Sequence, residues 1–194
     1  YLYGGITTFN GIGGHYGDPD QPLILETDEA FNTFEKIKIS DLLVLNVDSD
    51  HLDYFKNLDN YKDAFYKVMK NVKDNLVINN DDLNIKSMKE LKNPVSYGKD
   101  ISADFKVQSP GTFIYENNKY EIKSDIIGDH FKANMLGAII LALLNGIEIK
   151  DSLNAIESFA GVKRRIELIG ISKGVLIYDD YGHHPTEMEA SITS

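Results

Sequence analysis

The 194 residues carry 30 acidic and 20 basic side chains, a formal net charge of −10, with 42% hydrophobic residues and no cysteine. The acid excess argues against a nucleic-acid backbone as the main partner, and without thiols there are neither disulfides nor thiolate metal sites. No run approaches the roughly 18 apolar residues of a membrane span, so the composition describes a globular chain able to fill one good core or two modest ones.

The first expected strands are "LYGGI" (2–6) and "PLILET" (22–27), separated by the glycine-rich "NGIGGHYGDPD". "DLLVLNV" (41–47) reads as a third, largely buried strand. Helical spacing of Tyr61, Phe65, Val68, Met69 and Val72 predicts a helix over 57–72, with Asp59 available as its N-cap. A strand follows in "NLVINNDD" (75–82). Between about 95 and 128 the pattern becomes antiparallel, with "FKVQS" and "TFIYENNKYEIK" turning at Asn117 and Asn118. "HFKANMLGAIILALLNG" is a helix apolar nearly all round, closed by Gly146. A shorter helix lies in 149–161, starting at Asp151 or Ser152 and ending before Gly161. After "VKRRIELIGI" and the turn "SKG" comes the strand "VLIYDD", and Pro185 opens a helix in "HPTEME". The alternation of strands and helices predicts an α/β fold: a mostly parallel sheet flanked by helices, with a small antiparallel portion. Opening in mid-strand without a methionine, the sequence reads as a piece of a longer polypeptide.

Five polar clusters follow predicted strands or open a helix, where an α/β sheet usually places its ligand crevice. Glu26, Asp28 and Glu29 follow one apolar run; Asp48, Asp50, His51 and Asp53 crowd the exit of another. Oxygen donors with a single imidazole suit Mg²⁺ or Mn²⁺, although a solvated strand end or charged loop would look the same. His130 and Asn134, four apart, share a helix face; the amide offers both a donor and an acceptor to a planar base, or the two form a capping pair. Lys163, Arg164 and Arg165 set three cations side by side, suited to phosphate or to the chain's surplus acids. "DDYGHHPTE" (179–187) adds Asp179, Asp180, Tyr181, His183, His184 and Glu187. Its adjacent histidines point to opposite sides of an extended chain and are poor joint ligands of one metal.

In this order "LETDEAF", "NVDSDHLDYF", "GDHFKAN", "GVKRRIE" and "DDYGHHPTE" resemble the Mur ligase family, over nearly the whole chain, with "GVKRRIELIG" and "DDYGHHPTE" the most specific pair. The resemblance implies a cytoplasmic enzyme of peptidoglycan synthesis. Residues 1–168 would be part of the central ATPase domain and 169–194 the start of a carboxy-terminal Rossmann-like domain. It implies ATP-dependent amide formation through an acyl phosphate, with UDP-N-acetylmuramate and L-alanine as substrates, ATP and Mg²⁺ (or Mn²⁺) as cofactors, and no nucleic-acid or membrane partner. By the same resemblance Glu26 and His51 hold the metal and act in catalysis with Arg165, which approaches the nucleotide phosphates. His130 and Asn134 lie on the adenine side, and Asp180 and Tyr181 lie where the third domain closes over ATP.

Three departures stand out. Phe131 follows His130 where the family commonly has asparagine, and Ala30 and Phe31 replace a serine and an aspartate of the first acid cluster. No G-x-x-x-x-G-K-[ST] phosphate loop occurs, and "GIGGHYG" has no lysine to replace it; in the family that loop precedes the point where this chain begins. The chain alone is therefore expected to be inactive, and the strand at the start of 169–194, lacking its domain, to be disordered or paired with a non-native partner. Two other readings stay open: the related ligase that joins a recycled murein peptide to the same sugar, and a non-catalytic nucleotide-binding module.

Overall fold

The computed structural model describes residues 1–8, 10–27, 29–88 and 91–194, with Phe31 described by its backbone alone. The chain forms two compact units, one made of Tyr1–Thr27, Ser124–Phe131 and Glu157–Ser194, the other of Asp28–Lys123 and Lys132–Ile156.

The larger unit is built on a six-stranded sheet in sequence order. Its first strands are β1 (Asp41–Val44), β2 (Asn75–Asn79), β3 (Val95–Gly98) and β4 (Phe105–Ser109), parallel to one another. β5 (Thr112–Tyr115) and β6 (Asn118–Glu121) add an antiparallel meander. Connections and flanks come from a 3₁₀ helix (Ala30–Lys36), α1 (Leu52–Phe55), α2 (Leu58–Lys70), α3 (Leu83–Lys86), α4 (Asp129–Leu144) and α5 (Ile149–Glu157), with the last two also contributing residues to the smaller unit.

The two sheet faces are covered by different helices because strand side chains alternate. Val44, Leu76 and Ile78 join Tyr61, Ala64, Val68 and Met69 of α2 in one buried cluster with Phe34, Val47, Phe55 and Ile85. On the opposite face, Leu43 meets α4 at Gly137, where an added Cβ would lie 2.8 Å from Leu43 Cδ1 and 3.1 Å from the Tyr97 hydroxyl. Helix α4 seals this face with Leu136, Ile139 and Ile140, all buried, which accounts for its nearly uniform apolar surface. No helix of the described residues is long and apolar enough to cross a membrane.

The smaller unit contains the hairpin of β7 (Glu167–Ser172) and β8 (Val175–Asp179), followed by α6 (Pro185–Ile192). Lys173 and Gly174 at its turn both have positive φ, 50° and 83°, as a two-residue hairpin of matching twist requires. Strand β8 (Val175–Asp179) is therefore ordered and pairs within the chain, against the expectation of disorder or a non-native partner: "SKG" is a hairpin turn whose preceding strand supplies the partner.

Several boundaries differ from the sequence reading. Segments 2–6 and 22–27 form no strand; Leu2 makes single bridges to Gly14 and Leu25, and the glycines between them prevent longer ladders. Asn57, not Asp59, caps α2, its side chain accepting the Asn60 N–H at 2.9 Å. The β5–β6 turn sits on Glu116 and Asn117, both left-handed, with Asn118 already in the strand. Helix α5 starts two residues early, at Ile149, because that side chain is buried.

Candidate functional site

In the larger unit, β1 delivers the chain to His51, the N-cap residue of α1, whose backbone is left-handed at φ 50°. A conformation of that kind costs a non-glycine residue on the order of 1–3 kcal/mol and collects at functional sites. The Asp50 carboxylate accepts the His51 N–H at 2.6 Å. Nε2 of the ring stands 3.9 Å from both Glu29 Oε1 and Asp50 Oδ2. Glu29 is anchored from the core: the Tyr61 hydroxyl, on α2, donates to Glu29 Oε1 at 2.9 Å. Burial, then the charge and hydrogen bond of Glu29, hold the Tyr61 phenol far above its ordinary titration range. Tyr61 thus belongs to the site although its spacing marks it only as a core position. The one available signal was a phenol in a stripe otherwise made of Phe, Val and Met, because a buried hydroxyl needs an acceptor.

Asp82 caps α3 by accepting the Ile85 N–H at 2.8 Å, and its other oxygen accepts the Val47 N–H at 3.3 Å. Among the described residues, no three His, Asp or Glu side chains gather into a metal shell. The imidazole with its flanking carboxylates still matches the donor type of a hard cation that keeps waters or phosphate oxygens. Asp28 of the first acid cluster lies outside the described residues, as does the side chain of Phe31.

Glu26 is in the smaller unit, where its carboxylate accepts the Gly4 N–H at 2.6 Å. Glu26 and His51, expected as a metal pair, therefore belong to different units.

The smaller unit brings "KRRIE" and "DDYGHH" together. Asp180 accepts the Ile166 N–H at 2.8 Å on one oxygen and the Gly182 N–H at 2.7 Å on the other. Tyr181 donates its N–H to the Arg164 carbonyl at 2.8 Å, and the Arg164 guanidinium lies 4.7 Å from the centre of the Tyr181 ring. Arg164 also approaches Asp179 at 3.7 Å. Arg165, next along, is exposed and makes no ion pair among the described residues. His183 packs edge-on to Tyr181, while His184 takes the N-cap position of α6, so the two histidines have separate tasks as their alternation implies.

His130, in the first turn of α4, feels this same group. Burial depresses its pKa; Asp180 and Asp129 oppose the shift and Arg165 reinforces it. Its ring packs 4.2 Å from that of Phe131, which forms an apolar wall beside it. Asn134, four residues along α4, is half-buried and makes no side-chain hydrogen bond among the described residues, leaving both its donor and its acceptor available.

Residues 28–142 match the Mur ligase middle domain. The UDP-N-acetylmuramate--L-alanine ligase of Dictyoglomus turgidum is 36% identical over 184 residues, 88% of this chain and 40% of that protein. The crystal structure of UDP-N-acetylmuramate-alanine ligase from Thermotoga maritima superposes with a TM-score of 0.78 at 25% identity, covering 99% of this chain and 46% of that one. A MurF ligase from the same organism, solved in complex with ADP, shares the fold at a TM-score of 0.58 and 23% identity, over 80% of this chain and 38% of its own. The chain spans about 40% of the length of the curated relative. With more than half of the chain matched by that domain and 36% identity to a relative over 88% of its length, the chain belongs to the Mur ligase family.

Proposed function

We propose that this chain is the nucleotide-binding part of a UDP-N-acetylmuramate:L-alanine ligase, a cytoplasmic enzyme of peptidoglycan synthesis. In this reading residues 1–168 belong to the central ATPase domain and 169–194 begin the carboxy-terminal one. The observation that carries it is the 36% identity to an alanine-adding ligase over 88% of the chain, which also favours L-alanine over a recycled peptide as the amine.

The chemistry is ATP-dependent amide formation. A lactyl carboxylate oxygen attacks the γ-phosphorus, ADP departs, and the resulting acyl phosphate is opened by the alanine amine with loss of phosphate. Activation is needed because phosphate leaves an acyl carbon far more readily than an oxide does. Positioning and charge stabilisation dominate such transfers. Arg165, exposed and uncommitted, supplies a rigid guanidinium for phosphate oxygens. His130 and Asn134 form the adenine side, with Asn134 offering its free amide to the base edge. Asp180 and Tyr181 make the rim that closes over the nucleotide. His51, flanked by the Glu29 and Asp50 carboxylates, would hold Mg²⁺ or Mn²⁺, which when bound would offset phosphate charge. Glu29 and Tyr61 keep the His51 imidazole in place.

Calorimetric titration of the chain with ADP and Mg²⁺ tests the assignment. Binding that requires Mg²⁺ and is lost in His51→Ala is expected; binding indifferent to His51 overturns the metal assignment. Because the sequence contains no phosphate-loop lysine motif, alanine-dependent phosphate release by the 194 residues alone is expected to be undetectable, and measurable turnover would contradict this.

A further inference from the structure

Asp180 is committed to the backbone on both oxygens. One accepts from Gly182, two residues on, and is also approached by the Ser191 hydroxyl at 3.3 Å; the other reaches back 14 residues to the Ile166 N–H. Ile166 is strained. Its φ is 49°, a left-handed value that a β-branched residue very rarely adopts. Arg164 is left-handed too, at φ 60°, so Arg165 stands between two residues held in an unfavourable conformation. Three bonds fix this loop: Ile166 N–H to Asp180, Tyr181 N–H to the Arg164 carbonyl, and Arg164 N–H to Glu167 Oε2 at 2.9 Å. Their combined effect is to fix the backbone on both sides of Arg165, whose side chain is exposed.

We infer that Asp180 is a positioning residue: its carboxylate clamps Ile166 in the left-handed region and thereby sets the direction of Arg165. The inference rests on the reading of Arg165 as a phosphate contact and deepens it, since it makes the "DDYG" turn the support of the arginine loop as well as part of the rim. A ligand donating a hydrogen bond to Asp180 would have to compete with a backbone amide already bound there. An asparagine at 180 keeps the size but loses the charge and one of the two acceptors, so the Ile166 bond is either lost to the amide nitrogen or reduced to a weaker neutral one. Glycine at 166 accepts φ near 50° without the steric penalty of a side chain, so it frees the loop from its need for the clamp.

The test is amide hydrogen exchange on the nucleotide-free chain, paired with ADP calorimetry, for wild type, Arg165→Ala, Asp180→Asn and Asp180→Asn/Ile166→Gly. In Asp180→Asn the protection of the Ile166 amide is expected to fall about tenfold or more, as loss of one charge-assisted bond implies, with the amides of β2 unchanged as evidence of an intact fold. ADP affinity should fall in both single variants, and Ile166→Gly should restore most of the loss caused by Asp180→Asn. Unchanged Ile166 exchange overturns the clamp. An affinity loss that Ile166→Gly does not rescue overturns the positioning role in favour of direct contact between Asp180 and the ligand. If Arg165→Ala binds ADP like wild type, the phosphate reading of Arg165 is overturned separately, and the exchange measurement still decides the clamp because it uses no nucleotide.

Discussion

Tyr61 shows how a core residue can serve a site. Its ring packs edge-on against Phe55 at 5.0 Å within the α2 cluster while its hydroxyl holds Glu29 beside His51. Tyr61→Phe keeps the ring and removes only the bond, so a loss of about 1.5–3 kcal/mol is expected in urea unfolding, the range for a hydrogen bond to a charged group. No loss would mean that Glu29 finds a substitute donor. His130 makes a pH prediction. Its folded pKa is depressed, chiefly by burial, so its contribution to stability is present above the unfolded value of about 6.5 and is lost as pH falls through the lower folded value. The melting temperature should therefore drop between neutral pH and the acid side of that value, and His130→Phe should flatten the drop; an unchanged slope would contradict the shift. Residue types were legible in the sequence, since acids after strands and adjacent arginines can be recognised by composition alone. Their bonding was not: that Asp180 grips Ile166 depends on a contact 14 residues away and on φ values that no spacing encodes.

At the scale of elements, the sequence is clearest where periodicity is strong. The α2 stripe and the all-round apolar α4 predict their helices, and their burial on opposite faces of the sheet follows from the alternation along β1 and β2. It is weakest where single residues set a boundary. Asn57 outcompetes Asp59 as the cap of α2 because its extended backbone at φ −157° aims the side chain at the Asn60 N–H. Asn57→Ala should therefore cost about 1 kcal/mol and Asp59→Ala less, as measured by denaturant midpoints. At Gly137 α4 lies tight against the sheet, where a Cβ would meet Leu43 Cδ1 at 2.8 Å. Alanine there gains helix propensity of nearly 1 kcal/mol against its contact with Leu43, leaving a small net effect. Valine adds two further methyl groups in a buried seam and should destabilise by about 1–3 kcal/mol. A Gly137→Val protein as stable as wild type would show that Leu43 and Tyr97 can yield. The failed strands near the amino terminus teach the complementary lesson, because "LYGGI" has strand composition but its glycines carry no side chains to hold a ladder in register.

For the whole molecule, ordered clusters were more informative than any one motif. "NVDSDHLDYF" alone fits a charged loop, and "GDHFKAN" alone fits a helix start; in sequence with "GVKRRIE" and "DDYGHHPTE" they identify a family that the matched domain and fold then bear out. The most direct test of the central claim is a chimera in which this chain replaces the homologous 184-residue segment of the Dictyoglomus turgidum relative, assayed for phosphate release dependent on both UDP-N-acetylmuramate and L-alanine. The account expects turnover in the chimera and its loss in the same chimera carrying His51→Ala. A folded chimera that binds ADP yet releases no phosphate, or one that keeps full turnover without His51, would contradict it.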